Sequence, residues 1–404
     1  MKAKIFTTFM LFLLITNSKS FGNYFSIPTW NENIESLEVN AEPVKNNFLN
    51  LEAESAILIE QNTGKILFEK NSHEQLRPAS VTKIMTILLI MEAIENNEID
   101  YSTQIPCSEN AMSMGGSQIW LDASEKLTVD EMLKAICVVS ANDCTVAMAE
   151  YLAGSEELFV QKMNDKAKEL GMNDTCFKNC HGIDEDGHLT SSYDISLMSK
   201  ELLEKYPEIT KYTTIWMDSL RDGASELVNT NKLIRTYEGC TGLKTGSTSL
   251  ALYNLSASAT RNGMSLIAVV LRAPTPKLRF SEAKLLLDYG FTNFKYIDLT
   301  TKDDLVQTID IEKGSQKKLN LVYESTQGII VDKKLNSEIT QEIIINENIE
   351  IPINKGSTLG KVNFYIDNEL VQSANLIASE NISKKSFINI FKSNLNNWFY
   401  LLKT

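Results

Sequence analysis

The sequence predicts an α/β protein, in which a domain with helices on the faces of an antiparallel sheet precedes a small all-β domain and a C-terminal amphipathic helix. Hairpin patterns lie at both ends of residues 51–293, and helical patterns fill the region between them. This order predicts one sheet formed by hairpins that are distant in the sequence. Residues 294–382 contain only short runs rich in Val, Ile and Thr, which are typical of strands.

The composition indicates a folded protein and excludes several classes of function. The chain has 404 residues, of which 43% are hydrophobic and 23% are charged, as is ordinary for globular domains. A formal net charge of −13 argues against binding to a nucleic-acid backbone, which requires clustered lysine and arginine. Six cysteines are too few for a disulfide-built scaffold. Any mechanism that uses histidine must use His73, His181 or His188.

Residues 1–20 have the pattern of a secretory signal peptide. Lys2 and Lys4 precede an apolar stretch at 5–15, and small residues follow near position 20. The apolar stretch is too short to span a bilayer by itself, and an uncleaved N-terminal anchor helix is the alternative. Residues 21–50 are polar and aperiodic, which predicts a linker. We therefore expect an exported protein.

The C-terminal segment 383–404 differs in charge from the rest of the chain. It contains four lysines and no acidic residue. Apolar residues spaced three or four apart place one stripe on a helix, formed by Phe387, Phe391, Leu395, Trp398 and Leu402. An apolar stripe with aromatic residues and lysines predicts a helix that lies in the interface of an anionic membrane. A terminal helix that docks on its own protein is the alternative.

Within residues 51–293 the hydrophobic pattern predicts a hairpin, then helices, then a second hairpin. The helix at 80–96 is apolar nearly all round, which is typical of a helix buried at the centre of a domain. The other predicted helices are 129–139, 144–153, 156–170 and 193–205, and the predicted strands are 55–60, 65–69, 250–260 and 264–271. In the β domain the predicted strands are 306–311, 318–322, 328–331, 341–345 and 362–366.

Ser80 and Lys83 lie at the start of the buried helix, three residues apart and therefore on one face. A serine hydroxyl becomes a nucleophile when a base takes its proton, and a lysine can be that base when desolvation keeps its amine neutral. Lys83 is the only charged residue between Arg77 and Glu92. The pair is a weak motif by itself, since Ser80 could merely cap the helix.

Two further motifs follow in the sequence. Ser140-Ala141-Asn142 lies between two predicted helices, where a loop can present a hydroxyl and an amide to a cleft. Lys244-Thr245-Gly246 precedes the second hairpin. On an edge strand its Lys and Thr could bind a substrate carboxylate, and Gly246 could let the substrate backbone approach; a strand end with an exposed lysine is the alternative. The three motifs in this order occur in penicillin-binding proteins and class A β-lactamases.

Over residues 51–293 the chain resembles the serine-type D-alanyl-D-alanine carboxypeptidases, the low-molecular-mass penicillin-binding proteins. Beyond the three motifs, the resemblance includes Gly116-Ser117, Met163-Asn164, His181-Gly182, Val269-Val270-Leu271 and Arg279-Phe280. It implies a penicillin-binding/β-lactamase-like domain. The family's order of signal peptide, catalytic domain, small β domain and amphipathic anchor also matches the segments predicted above.

The resemblance implies a role for each motif residue. Ser80 would be the acylated nucleophile, Lys83 its general base, and Ser140 a proton relay to the leaving D-alanine. The substrate-binding residues would be Asn142, Lys244, Thr245, Gly246, Ser247 and Arg279, with Lys244, Thr245 and Arg279 at the terminal carboxylate. The backbone N–H groups of Ser80 and Ser247 would form the oxyanion hole. The sequence departs from the family at Leu252, where many members have Gly, and at Cys180, where Pro is usual.

Three alternatives were weighed against this interpretation. Cys176, Cys180, His181 and His188 could suggest a metal site, but their spacing matches no common zinc motif. A class A β-lactamase uses an additional Glu in a loop with Asn four positions later, and no convincing pair of this kind lies between Asn142 and Lys244. A non-catalytic β-lactam- or wall-binding sensor would have no need of an activated nucleophile, and release of D-alanine would distinguish it from an enzyme.

We therefore expect a serine DD-carboxypeptidase that removes the terminal D-alanine of peptidoglycan stem pentapeptides through an acyl-serine and that β-lactams inhibit covalently. No metal or organic cofactor is expected. The expected partners are the D-Ala-D-Ala stem peptide and an anionic membrane surface, which residues 384–404 would contact, and nucleic acid is not among them. The expected location is the outer face of the cytoplasmic membrane.

Overall fold

The computed structural model describes residues 49–385, apart from 124, 313 and 335–337. The predicted signal peptide at 1–20, the linker at 21–50 except its last two residues, and the helix at 383–404 except its first three residues lie outside the described residues. In the described part, no helix combines the length and the apolar character that are needed to cross a membrane.

The described helices and strands follow one another in two groups. The helices are α1 Lys83–Glu95, α2 Glu109–Met112, α3 Val129–Val138, α4 Asn142–Ala153, α5 Glu156–Glu169, α6 Ser192–Lys205, α7 Thr210–Thr213, α8 Leu233–Thr236 and α9 Pro276–Asn293. Up to Ala273 the strands are β1 Ser55–Glu60, β2 Ile66–Lys70, β3 Gln104–Pro106, β4 Lys126–Thr128, β5 Met217–Leu220, β6 Ser225–Val228, β7 Cys240–Thr248, β8 Leu252–Arg261 and β9 Met264–Ala273. The strands after α9 are β10 Phe294–Thr300, β11 Leu305–Asp310, β12 Lys318–Tyr323, β13 Gln327–Asp332, β14 Ile339–Ile345, β15 Thr358–Ile366 and β16 Glu369–Ala378.

The central sheet joins strands from both ends of the first group. Its order is β2-β1-β9-β8-β7, and all neighbouring pairs are antiparallel. Ile57 of β1 pairs with Val269 of β9, although more than two hundred residues separate them. The two predicted hairpins therefore share one sheet, as the sequence indicates. β7 forms an edge of this sheet, so one side of the Lys244-Thr245-Gly246 segment has no neighbouring strand in it.

Each face of the central sheet has its own hydrophobic core. Side chains alternate between the faces of a strand, so Ile57 and Ile59 of β1 join the core formed with α1, α3, α4 and α6. Leu58 lies in a second core, together with Leu286 and Leu287 of α9. The result is a three-layer arrangement in which helices cover both faces of the sheet.

The start of the buried helix differs from the prediction. Residues Ala79–Thr82 form a turn of 3₁₀-helix, and the α-helix begins at Lys83. Lys83 N donates to the carbonyl of Ser80, and Val81 N donates to Pro78 O at 3.3 Å. These three-residue hydrogen bonds wind the chain more tightly than an α-helix, which is why Ser80 precedes the α-helix instead of lying in its first turn.

α9 was not predicted from the sequence. Its inward positions include Arg279 and Glu282 as well as Leu286 and Leu287, so buried charged residues interrupt the apolar period. The Glu282 carboxylate accepts hydrogen bonds from the backbone N–H groups of Glu52 and Ala53. These bonds compensate for the burial of a charged side chain.

The second group of strands forms the β region after Asn293. β11-β12-β16-β15-β14 form a five-stranded antiparallel sheet, and β10 pairs with β13. Its core contains Leu319, Leu321, Val362, Phe364 and Leu376. All five predicted strands are present, and β10 and β16 are additional strands. β16 escaped prediction because polar residues such as Gln372, Ser373 and Asn375 interrupt its apolar ones.

Candidate active site

Ser80 and Lys83 are in direct contact. The 3₁₀ turn places Ser80 Oγ 3.0 Å from Lys83 Nζ. Ser80 is partly exposed, whereas the Lys83 side chain is fully buried. A hydroxyl that a ligand can reach thus lies directly above an amine that solvent cannot reach.

Lys83 Nζ also donates to two oxygen atoms that can only accept hydrogen bonds. Asn142 Oδ1 and the carbonyl oxygen of His181 each lie 2.6 Å from it. A neutral amine has two N–H groups and one lone pair, so two pure acceptors leave the lone pair for the Ser80 hydroxyl. Burial, followed by the positive charge of Lys244, lowers the pKa of Lys83 well below its ordinary value. The geometry and the electrostatics therefore both favour a basic amine that faces Ser80.

Asn142 is held in place by the loop before it in the sequence. Its backbone N–H donates to Ser117 O at 2.7 Å, and its Nδ2 donates to Gly115 O at 2.7 Å. The neighbouring Asp143 carboxylate accepts hydrogen bonds from the backbone N–H groups of Ile119 and Leu121. These contacts fix the Asn142 amide with its oxygen toward Lys83.

Ser140 lies in the short connection between α3 and α4, as predicted. Its backbone has φ = 64°, in the left-handed region that non-glycine residues rarely adopt. The hydroxyl is buried, and no hydrogen-bond partner for its Oγ is found among the described residues. Strained backbone and unpaired buried polar atoms are concentrated at functional sites, so both features of Ser140 are typical of a functional position.

The motif on β7 contributes a second buried amine. Lys244 is 1% exposed and donates to Thr245 O at 2.9 Å. Burial lowers the pKa of Lys244 to about 7, and the nearby Arg279 also lowers it. Thr245 Oγ1 donates to Thr230 Oγ1 at 2.7 Å. A buried cation at a sheet edge is suited to bind a carboxylate.

Arg279 reaches the same strand from α9. Its Nη1 donates to Gly246 O at 3.1 Å, and its buried Nε has no hydrogen-bond partner among the described residues. Burial lowers the pKa of Arg279 to about 10. Ser247, the next residue on β7, is exposed. Positive charge from two different elements therefore lies at one end of the site.

Two family models match this chain. The D-alanyl-D-alanine carboxypeptidase model matches residues 40–275, and the model of the penicillin-binding protein 5 C-terminal domain matches residues 294–384. D-alanyl-D-alanine carboxypeptidase DacF of Bacillus subtilis (strain 168) is 46% identical over 351 residues, which are 86% of this chain and 90% of that protein. The chain belongs to the D-alanyl-D-alanine carboxypeptidase family.

Solved structures agree with this assignment. Penicillin-binding protein 5 from Haemophilus influenzae has a TM-score of 0.73 and 30% identity, and the match covers 83% of this carboxypeptidase and 98% of that chain. Penicillin-binding protein D2 from Listeria monocytogenes, in its ampicillin-bound form, has a TM-score of 0.56 and 31% identity, with 60% and 99% covered. The predicted family, the serine-type peptidase function and the fold class of a penicillin-binding domain followed by a β domain are confirmed.

Gly246 has a structural role that the sequence did not reveal. A Cβ atom at this position would lie 2.8 Å from Pro78 O and 2.9 Å from Ser80 N. The glycine thus lets β7 lie directly against the 3₁₀ turn, which brings the Lys-Thr-Gly strand next to Ser80. Approach of the substrate backbone to this glycine stays a prediction.

Asn254 and Gly182 also position Ser80, and sequence patterns did not reveal this role. Asn254 Nδ2 donates to the carbonyls of Arg77 and Pro78 at 2.8 and 3.0 Å, and so anchors the chain before Ser80. A Cβ atom at Gly182 would lie 1.9 Å from Ala79 O. A large amide side chain among the apolar and small residues at the start of β8 was the one available indication of such a contact.

Both residues at which the sequence departs from the family pattern are described in the structure. Leu252 has φ = 55°, a conformation that glycine adopts at lower cost. Cys180 is buried, and none of the six cysteines forms a disulfide.

The residues that could have suggested a metal site have other partners. His188 Nδ1 accepts from Lys178 N, and its Nε2 lies 2.8 Å from Thr82 Oγ1. Among the described residues, no three His, Cys, Asp or Glu side chains are grouped so as to hold a metal.

Replacement of Gly246 by Ala should separate β7 from the Ser80 turn. Overlap of a Cβ atom with backbone cannot be relieved by a side-chain rotation, so we expect a loss of about 1–3 kcal/mol of stability. Penicillin labelling should fall with it. Thermal unfolding and labelling rates measure the two effects. Gly115→Ala is the matched control, because a Cβ atom there meets nothing within 4 Å; equal losses in both variants would contradict the close-approach explanation.

Proposed function

We propose that this carboxypeptidase removes the terminal D-alanine from peptidoglycan stem pentapeptides through an acyl-enzyme on Ser80. The observation that supports this most directly is the set of contacts around Lys83 Nζ, two pure acceptors at 2.6 Å and Ser80 Oγ at 3.0 Å. Such an amine can take the serine proton without a histidine or a metal.

In the acylation step, Lys83 Nζ takes the Ser80 proton while Ser80 Oγ attacks the carbonyl carbon of the penultimate D-alanine. The carbonyl oxygen becomes an oxyanion, for which the backbone N–H groups of Ser80 and Ser247 are the proposed donors. Collapse of this intermediate breaks the peptide bond. The leaving amine receives the proton that Lys83 took from Ser80, and this proton passes through the hydroxyl of Ser140, which has no other partner among the described residues. Water then hydrolyses the ester, with Lys83 again as the base.

Two polar groups of the substrate would be recognised, its terminal carboxylate and an amide group. The terminal carboxylate would lie between Lys244, Thr245 and Arg279, where the site is positively charged. Asn142 would hold the substrate amide with the Nδ2 hydrogen that Gly115 does not use. Gly246 would contact the substrate through its backbone alone. This arrangement requires a free carboxylate next to the scissile bond.

A β-lactam would acylate Ser80 by the same attack on its ring carbonyl. The Listeria protein binds ampicillin and cefotaxime, and we extend this type of binding to Ser80. The amine released from the ring stays covalently attached to the acyl group, so it still occupies the position that water would need. We therefore propose a long-lived adduct, which separates this function from that of a β-lactamase.

Replacement of Ser80 by Ala should abolish both the penicillin adduct and D-alanine release while leaving the fold intact, because the side chain is partly exposed. Intact-mass spectrometry after penicillin exposure, followed by peptide mapping, locates the adduct. Assay of free D-alanine from a peptide ending in D-Ala-D-Ala measures turnover. Release that persists in Ser80→Ala would refute the mechanism, and an adduct without any release by the unmodified protein would indicate a sensor.

The pH dependence of kcat/KM should report the protonation state of the Lys244 amine. Its pKa of about 7 means that the free enzyme loses this positive charge as the pH rises through neutrality. Carboxylate binding should then weaken, and kcat/KM, which reports groups of the free enzyme, should fall on the alkaline side. In Lys244→Arg the cation persists, so this alkaline limb should move to higher pH, even if the maximum rate is lower. Identical alkaline limbs in the two proteins would contradict the assignment.

We further propose that the protein is exported and lies on the outer face of the cytoplasmic membrane. The signal-like pattern at 1–20 and the basic amphipathic pattern at 384–404 support this location. Both agree with a substrate in the cell wall.

Truncation after Lys385 should abolish binding to anionic vesicles while D-alanine release from a soluble peptide stays unchanged. This end point keeps the bridge between Gly314 and Lys384 and the hydrogen bond of Lys385 Nζ to Glu312 O. Vesicle sedimentation measures the partitioning. A full-length variant with Leu395 and Trp398 replaced by Ser should also lose binding, since it keeps every lysine but interrupts the apolar stripe. Undiminished sedimentation of both variants would refute the anchor.

A further inference from the structure

The geometry assigns Glu156 the role of a positioning residue for Lys83, an inference that rests on the proposed role of Lys83 as the general base. Glu156 is the first residue of α5. In the part of the chain that the structure describes, no hydrogen bond joins it to Ser80 or Lys83. We infer that its carboxylate holds residues 180–181 in place, and that this segment in turn directs the lone pair of the Lys83 amine toward Ser80.

The Glu156 carboxylate contacts both residues of this segment. Its Oε1 accepts a hydrogen bond from the backbone N–H of Cys180 at 3.1 Å and lies 3.4 Å from His181 Nε2. The side chain of Glu156 is 18% exposed and that of His181 is 8% exposed. Water therefore has little access to these contacts, which makes each of them stronger than on an open surface.

The protonation state of His181 completes the contact. Burial, the largest cause, lowers the pKa of His181 to about 3, so its imidazole is neutral in neutral solution. Its Nδ1 accepts a hydrogen bond from Ile183 N at 3.1 Å. A neutral imidazole that accepts at Nδ1 has its proton on Nε2, which is the nitrogen that faces Glu156. The carboxylate thus accepts the backbone hydrogen bond of Cys180 and lies in polar contact with the ring.

The two carbonyl groups of this segment face α1. Cys180 O accepts from Thr86 Oγ1 at 2.7 Å, and His181 O accepts from Lys83 Nζ at 2.6 Å. The carbonyl of His181 is one of the two pure acceptors that leave the amine lone pair for Ser80. If the segment moves, one N–H of the amine loses its acceptor and the lone pair is no longer directed at the hydroxyl. Displacement by about 1 Å in an active site can cost about 100-fold in rate.

Other contacts hold the same loop, so the loss of Glu156 should displace the segment without unfolding the protein. Asn179 Oδ1 accepts from Gly182 N at 2.7 Å, and Asn179 Nδ2 donates to Ile183 O at 3.0 Å. These bonds fix the chain after His181, whereas Glu156 fixes the Cys180 N–H and the imidazole.

The test compares Glu156→Ala, Glu156→Gln and Glu157→Ala in the full-length protein. Release of D-alanine from a peptide ending in D-Ala-D-Ala gives kcat and KM, and thermal unfolding reports the fold. In Glu156→Ala, kcat should fall by about 10- to 100-fold with KM unchanged, because the base is misdirected while the carboxylate-binding end of the site is intact. Glu156→Gln should retain most of the activity, since an amide oxygen can still accept the hydrogen bond from the backbone N–H of Cys180.

Glu157→Ala is the matched control, because Glu157 is the neighbouring acid in the same helical turn and is exposed. Its kcat and KM should equal those of the protein without substitutions. If Glu156→Ala fails to fold, Glu156→Asp, which shortens the reach of the carboxylate, should show the same selective loss of kcat. An unchanged kcat in Glu156→Ala and Glu156→Asp, or a Glu156→Gln variant as slow as Glu156→Ala, would overturn the inference. Failure of the proposed mechanism is recognised separately, by D-alanine release that persists in Ser80→Ala.

Discussion

The Lys83 side chain is fully buried, and its hydrogen-bond partners in the structure are a hydroxyl, an amide oxygen and a backbone carbonyl, none of which has a full negative charge. An ammonium ion in such surroundings is costly, because it loses its hydration without gaining a counter-ion. The neutral amine is favoured instead. Lysine can thereby do what histidine does in many serine hydrolases, provided that the site stays dry and the lone pair points at the serine.

Both conditions depend on the three-layer fold. The apolar helix α1 passes through the core on one face of the sheet, and this excludes water from Lys83. The acceptors that orient the amine come from α4 and from the loop at 180–181, and the second amine comes from edge strand β7. Residues far apart in the sequence therefore meet at one 3₁₀ turn, where Gly182 and Gly246 allow backbone to approach backbone. The proposed chemistry at Lys83 therefore depends on how the helices and the sheet pack.

The sequence was most informative where patterns repeat or motifs are short and ordered. The helices from α3 to α6 and both central hairpins lie within a few residues of their predicted positions, because apolar periodicity determines them. Prediction failed where polar residues interrupt the apolar pattern of a helix or strand. Arg279 and Glu282 obscured α9, and polar residues obscured β16. Asn254 and Glu156 act on the site through side-chain hydrogen bonds to backbone groups, and such bonds follow no period and no motif.

The burial of Lys244 also has a consequence for folding. In the unfolded chain its amine is hydrated and binds a proton with the ordinary pKa of 10.5, whereas in the native state the pKa is about 7. Folding must therefore release a proton throughout the interval between these two values, and the native state gains stability as the solution becomes more alkaline across it. Lys83, whose pKa is lowered in the same direction, adds to this effect. Near neutrality the protein thus gives up part of its conformational stability to maintain two dehydrated amines.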